Sequence, residues 1–153
     1  MTAVSDHIVE YVTAKIGGQL FGLPISRVQD VFVPERLTRM PLASAEIAGL
    51  LNLRGRIVTV IDMRRRLDLD GVRDDGRPPM AVGIECKGES YGLLIDEIGE
   101  VLKVSAAGCE ANPVNLDPRL ARVSAGVYRL DGQLMVVLDV DRVLDVGASA
   151  VAA

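Results

Sequence analysis

Residues 48 to 67 read AGLLNLRGRIVTVIDMRRRL, an aliphatic run that carries five arginines, Arg54, Arg56, Arg64, Arg65 and Arg66. Guanidinium groups at this density can neutralise phosphates, anchor carboxylates at a protein interface, or do no more than solvate a surface. A single-stranded nucleic acid would need them on one face, interleaved with aromatic rings that stack bases. No aromatic residue falls in the run, and Arg54 and the 64–66 cluster stand at opposite ends of a strand rising ~3.3 Å per residue. The net charge is −4, and Asp68, Asp70, Asp74 and Asp75 follow directly. The basic footprint of a nucleic-acid binder is missing, so no nucleic-acid partner is expected.

Other chemistry finds little support. The single histidine, His7, sits in an expected N-terminal tail, and Cys86 and Cys109 are isolated thiols without metal-ligand spacing, so no metal site is expected. Neither a GxSxG elbow nor a GxGxxG or GxxxxGK[ST] phosphate loop occurs, and no catalytic or cofactor-binding residues are assigned. Asp62 and Asp139 read as repeated helix caps rather than as an acid/base pair. The N-terminus lacks a signal-peptide pattern, and no segment approaches the ~20 apolar residues of a membrane helix, so a cytoplasmic protein is expected.

The elements that must position these residues are written twice. KIGGQLFGLPISRVQDV (15 to 31) aligns with ECKGESYGLLIDEIGEV (85 to 101) at an offset of 70, with Gly22/Gly92, Leu23/Leu93, Ile25/Ile95 and Val31/Val101 identical. The arginine run aligns with AGVYRLDGQLMVVLDVDRVL (125 to 144) at an offset of 77, with eight identities in twenty, among them Gly49/Gly126, Gly55/Gly132 and Asp62/Asp139. Roughly one or two would follow from ordinary residue usage. The order A, B, A′, B′ is an internal duplication.

Within one unit, Tyr11 to Ile16 and Gln19 to Leu23 are strands around a Gly17-Gly18 hairpin turn. Pro24 to Gln29 reads as a short helical turn and Asp30 to Val33 as a third strand. Ser44 is placed to cap a turn through Glu46 and Ile47, and Gly49 to Leu53 and Arg56 to Ile61 are strands around Arg54-Gly55. Asp131-Gly132 is the matching turn of the second copy. With 49% hydrophobic residues, no tryptophan and few aromatics, the core must be aliphatic. The expected fold is all-β: two tandem five-stranded barrels, about residues 10–67 and 80–146, packed around a shared core in a single domain of 8–146. An exposed linker of 68–79 joins them, an irregular stretch of Ser105 to Pro118 lies inside the second, and flexible tails are expected at 1–7 and 147–153.

Features shared by both copies are most economically structural, and features of one copy only are candidates for function. That rule isolates Asn52-Leu53-Arg54-Gly55, where the second copy has Arg129-Leu130-Asp131-Gly132. Arg54 is either an exposed turn residue without a role or an interface anchor, with five donors on an apolar stem.

FGLPISRVQDVF, then TRMP, then IAGLLNLRGRIVTVIDMRRRL resemble the CheW family of chemotaxis coupling proteins over residues 8 to 146. Asp30 stands where that family commonly has Glu, Thr59 where Pro is common and Met63 where Leu is usual. The resemblance implies two SH3-like barrels and a non-enzymatic adaptor. Its implied partners are the cytoplasmic hairpin tip of a chemoreceptor (a methyl-accepting chemotaxis protein) and the regulatory domain of a CheA-type histidine kinase. It implies receptor contact in a groove between the barrels and around the NLRG turn, at Val28, Asp30, Gly49, Asn52, Arg54, Gly92 and Val101. Gly92 and Val101, matched by Gly22 and Val31, could equally be structural. The kinase contact is not assigned to residues. It also implies a cytoplasmic protein recruited to membrane-associated receptor arrays without entering the membrane. Three alternatives stay open: a CheW-like scaffold of a pathway controlling pili, development or a second messenger; a piece of a CheA-like kinase; or a coupling domain fused to a receiver. The chain edges, near the domain edges, favour a free-standing protein.

Overall fold

The computed structural model describes residues 7–41, 45–69 and 80–145. The expected linker beyond Leu69, the Ser44 cap and most of both expected tails lie outside the described residues. Ten strands and a few short helical turns make up the described residues. In the first half, β1 (Ile8–Ile16), β2 (Gln19–Pro24), β3 (Val28–Phe32), β4 (Ile47–Leu53) and β5 (Arg56–Asp62) lead into helix α1 (Met63–Arg66). The second half supplies β6 (Met80–Cys86), β7 (Glu89–Ile95), β8 (Glu97–Ser105), helix α2 (Pro118–Ala121), β9 (Ser124–Leu130) and β10 (Gln133–Leu138), and residues 140–145 are helical. The turn after β2 is a 3-10 turn of only Ile25–Arg27, so β3 starts at Val28, earlier than the sequence pattern places it.

The sheets do not follow the two sequence copies. One has the order β8-β1-β2-β10-β9 and the other β3-β6-β7-β5-β4, so each combines strands from both halves. The joints are two parallel pairings, Phe21 beside Val136 in the first sheet and Val60 beside Gly92 in the second. These joints are equivalent under the repeat, because β2 matches β7 and β10 matches β5. Exchanging equivalent hairpins leaves every local pattern intact, so periodicity along the chain does not distinguish pairing within a copy from pairing between copies. Neither array closes through a full ladder. Each is drawn together by one isolated bridge, Thr38 to Leu50 in one and Glu110 to Val127 in the other.

Strand alternation divides the apolar residues among three cores. On β10, Val136 and Leu138 face a shared core with Phe21, Leu23, Ile61, Ile84 and Leu93, while Met135 and Val137 face a smaller cluster with Leu20 and Tyr128. On β5, Val58 and Val60 pack with Leu51 inside the second sheet, and Ile61 turns to the shared core. Tyr128 rests against Tyr11 with ring centroids 5.5 Å apart, and its hydroxyl donates to the Ser105 carbonyl at 3.1 Å. Burial and then the bond to Tyr11 push its pKa well above the usual phenol range.

The duplicated caps fold as the repeat predicts. Asp62 Oδ1 accepts from the Arg64 backbone N–H at 3.0 Å, and Asp139 Oδ1 from that of Arg142 at 3.3 Å. Each aspartate also donates its own N–H backwards, to the Glu46 carbonyl at 2.8 Å and the Val123 carbonyl at 2.7 Å. His7, expected in a free tail, is held by its carbonyl, which accepts from Ala106 N–H at 2.8 Å. Asp117 caps α2, which carries Leu120 into the shared core.

Phe21 is fully buried at the joint between the two halves. Phe21→Ala is expected to lower stability by about 3–5 kcal/mol, read by urea denaturation. Bonds from the Arg119 side chain, then from its backbone N–H, lower the Asp117 pKa from 3.8 to about 2. A carboxyl depressed on folding stabilises above its unfolded pKa, and that contribution is lost as pH falls through about 2. Asp117→Asn should therefore flatten the fall of the melting temperature between pH 4 and pH 2, read by thermal scans across that window.

Candidate functional site

Six of the seven positions implied by the resemblance lie in the second sheet: Val28 and Asp30 on β3, Gly49 and Asn52 on β4, Arg54 in the β4–β5 turn and Gly92 on β7. Val101 lies on β8 of the other sheet, 46% exposed, opposite Val12. Asp30, Asn52 and Arg54 come together. Arg54 and Gly55 form the two-residue hairpin turn with φ of 55° and 83°, a left-handed pair that lets the strands keep their twist. The Asn52 side chain accepts from Gly55 N–H at 2.9 Å and fixes that turn. The Arg54 guanidinium then meets the Asp30 carboxylate at 3.4 Å, with side-chain exposures of 77% and 28%.

The remaining positions have structural explanations. Gly49 has φ of 155°, and a Cβ there would stand 2.7 Å from the Thr38 carbonyl oxygen of the closing bridge. Its repeat partner Gly126 has φ of 142° with the Glu110 carbonyl oxygen at 3.0 Å from such a Cβ. Gly92 is buried under the Phe32 ring, and Val28 packs half-buried against the shared core. By the rule that repeated features are structural, Gly49 and Gly92 serve the barrel before they serve a partner.

The arginine run resolves into individual tasks. Arg64 donates two parallel hydrogen bonds to Asp96, Nε to Oδ1 at 2.9 Å and a terminal nitrogen to Oδ2 at 2.7 Å, and Asp96 also accepts from Gly17 N–H at 2.8 Å. Arg65 leans on Asp62, and Arg66 donates to the carbonyls of Val143 and Arg142 at the closing helix. These three therefore tie α1 to its surroundings rather than forming an open basic face. Cys86 ends β6 and Cys109 follows a 3-10 turn; neither is in a disulfide.

Arg54 lines one of two adjoining cavities. One, of about 400 Å³, is lined by Asp30, Phe32, Arg54, Arg56, Ser90 and Tyr91 among others. Burial first, then Glu89 and Cys86, raise the pKa of the Tyr91 hydroxyl. The other, of about 610 Å³, is lined by Val33, Leu50, Leu53 and Ile57, and shares Phe32 and Leu53 with the first. Val33 and Ile57 are large exposed aliphatics at 44% and 60%. The result is a surface with exposed aliphatics, Glu35 and Arg36 also in its lining, beside a charged turn. Sequence reasoning did not single out Arg56 and Ser90 as a pair, although the copy comparison contains the signal: their repeat counterparts are Gln133 and the buried Leu20.

The sequence matches the CheW-like domain family over residues 10–147. The chain belongs to the CheW-like family. It is 27% identical over 143 residues to the chemotaxis protein CheW of Treponema pallidum, covering 92% of this chain and 84% of that one. A segment amounting to 19% of the chemotaxis protein CheA of Salmonella typhimurium is 24% identical over 133 residues, 87% of this chain. The fold is shared with the crystal structure of the scaffolding protein TtCheW from Thermoanaerobacter tengcongensis, with a TM-score of 0.76 at 24% identity over 86% of this chain and 84% of that chain. CheW-like proteins are chemotaxis scaffolds and adaptors, and the fold of two SH3-like units anticipated from the resemblance is the fold of this family. The NLRG motif of the CheW-like chain is the β4–β5 turn with its Asn52 brace.

If Gly49 is held by the barrel, Gly49→Ala should destabilise the protein by more than about 1 kcal/mol in chemical denaturation. Its exposed neighbour Asn52→Ala should cost less.

Proposed function

We propose that this CheW-like protein is a non-enzymatic adaptor that couples the cytoplasmic hairpin tip of chemoreceptors to the regulatory domain of a CheA-type histidine kinase. The observation that carries the reading is the Arg54–Asp30 pair set beside the exposed aliphatic surface of Val33 and Ile57. A helical partner docks on aliphatic walls with a few polar anchors, and a planar five-donor group on a fixed turn suits the anchor role. The kinase regulatory domain is the second partner because CheA contains a segment similar to this chain, so two related barrels are available to pair. No described helix is long and apolar enough to cross a membrane. Recruitment to membrane-associated receptor arrays then goes through the receptor contact.

In the adaptor reading, Val28 supports the wall from β3, Gly49 and Gly92 shape the barrel beneath it, Asn52 sets the turn, and Val101 offers a second aliphatic contact on the other sheet. The test is titration calorimetry with a receptor-tip hairpin fragment and, separately, with the kinase regulatory domain. Both are expected to bind. Arg54→Ala should weaken the tip by roughly tenfold or more, as an interface anchor does. Circular dichroism and kinase binding should stay as in the parent protein. Absence of binding to either partner by the folded protein would overturn the reading.

A further inference from the structure

The cavity beside the β4–β5 turn holds more positive charge than its walls balance. Two guanidinium groups, Arg54 and Arg56, and one carboxylate, Asp30, line it. Arg54 is committed to Asp30 at 3.4 Å. Arg56 is exposed, and its side-chain contact among the described residues is the neutral Ser90 hydroxyl at 3.5 Å, at the outer limit of a hydrogen bond. Every other arginine of the run reaches a carboxylate or a backbone carbonyl. Glu85 is held by Gln29 at 2.9 Å and does not line the cavity. Below the charges, Phe32, Leu53, Val58 and Ile84 form an apolar floor.

A cavity with an aliphatic and aromatic floor and one unbalanced guanidinium at its rim complements a short apolar stem that ends in a carboxylate. A cationic stem would meet Arg56 as a like charge, and a purely apolar one would leave it unpaired. We infer that this cavity is a carboxylate pocket with Arg56 as the counter-ion, and that it is filled by a glutamate or aspartate side chain of the helical receptor tip. Asp30 acts there as a positioning residue that holds Arg54 upright and keeps the pocket from carrying two free cations. Ser90 orients Arg56 from β7. The inference rests on the adaptor reading, and it adds the sign of the partner's charge and a residue outside the NLRG motif.

The test compares the receptor-tip fragment binding to the parent protein, Arg56→Lys and Arg56→Glu, at low and at high salt. Arg56→Glu should weaken the tip by roughly tenfold at low salt and by less at high salt, since a rim charge acts through a screened field. Arg56→Lys should retain most of the affinity. A tip variant with its acidic residues changed one at a time to lysine should include one that binds Arg56→Glu better than it binds the parent. Kinase regulatory-domain binding reports that each variant is folded. Equal tip affinity of the parent and Arg56→Glu would overturn the pocket while leaving the adaptor reading in place. Failure of the tip to bind the parent at all would overturn both.

Discussion

Phe21 and Leu23 of one sheet meet Ile61, Ile84 and Leu93 of the other in a core that belongs to neither sequence copy. Several strands that feed this core also supply a smaller cluster with their alternate side chains, as Leu20 and Met135 do in one sheet and Val58 and Val60 in the other. Period-two alternation makes that double use possible, because a strand buried on both faces can serve two cores at once. The parallel joints β2–β10 and β5–β7 are where the two halves of the chain become inseparable. Small five-stranded barrels bury too little surface to be secure alone, and sharing the central layer raises the buried fraction of each.

The surface chemistry follows from this frame. The second sheet has Phe32 packed over Gly92 and Gly83, an approach that the absent side chains permit. That packing sets the β3 backbone, which places Asp30 within reach of Arg54. The β4–β5 turn is fixed from its own side by Asn52. Two rigid elements thus converge on one ion pair, and the exposed aliphatics beside it stay in a defined relation to the charge. A scaffold needs that kind of rigidity more than it needs reactive groups. The remaining arginines of the run, bonded to Asp96, Asp62 and the end of the closing helix, contribute to the frame rather than to the surface.

Much of this is legible in the sequence, for physical reasons that differ by element. The hairpin turns at Gly17-Gly18 and Arg54-Gly55 are local, and a left-handed residue pair announces itself by its glycines. The caps Asp62 and Asp139 are equally local, and the duplication doubles the signal. The aliphatic composition and the repeat together point to paired barrels. The strand exchange is not legible, because swapping two equivalent hairpins changes long-range pairing and no local pattern. For the site, the copy comparison isolates Arg54, and the resemblance adds Asp30. Gly49 reads as a contact until its φ and the Thr38 carbonyl show a backbone reason for the missing side chain. Arg56 is hidden because it is one of five arginines in the run, and only the fold shows which of them already have counter-charges.

Sheets joined by exchanged strands should open as one cooperative body, and native-state hydrogen exchange followed residue by residue reports whether they do. Amides at the centres of β2 and β10 and of β5 and β7 should exchange with one common opening free energy, equal to that of global unfolding. A lower opening free energy for the whole of one sheet, with the other still protected, would show two independently stable barrels and rule out a single cooperative body.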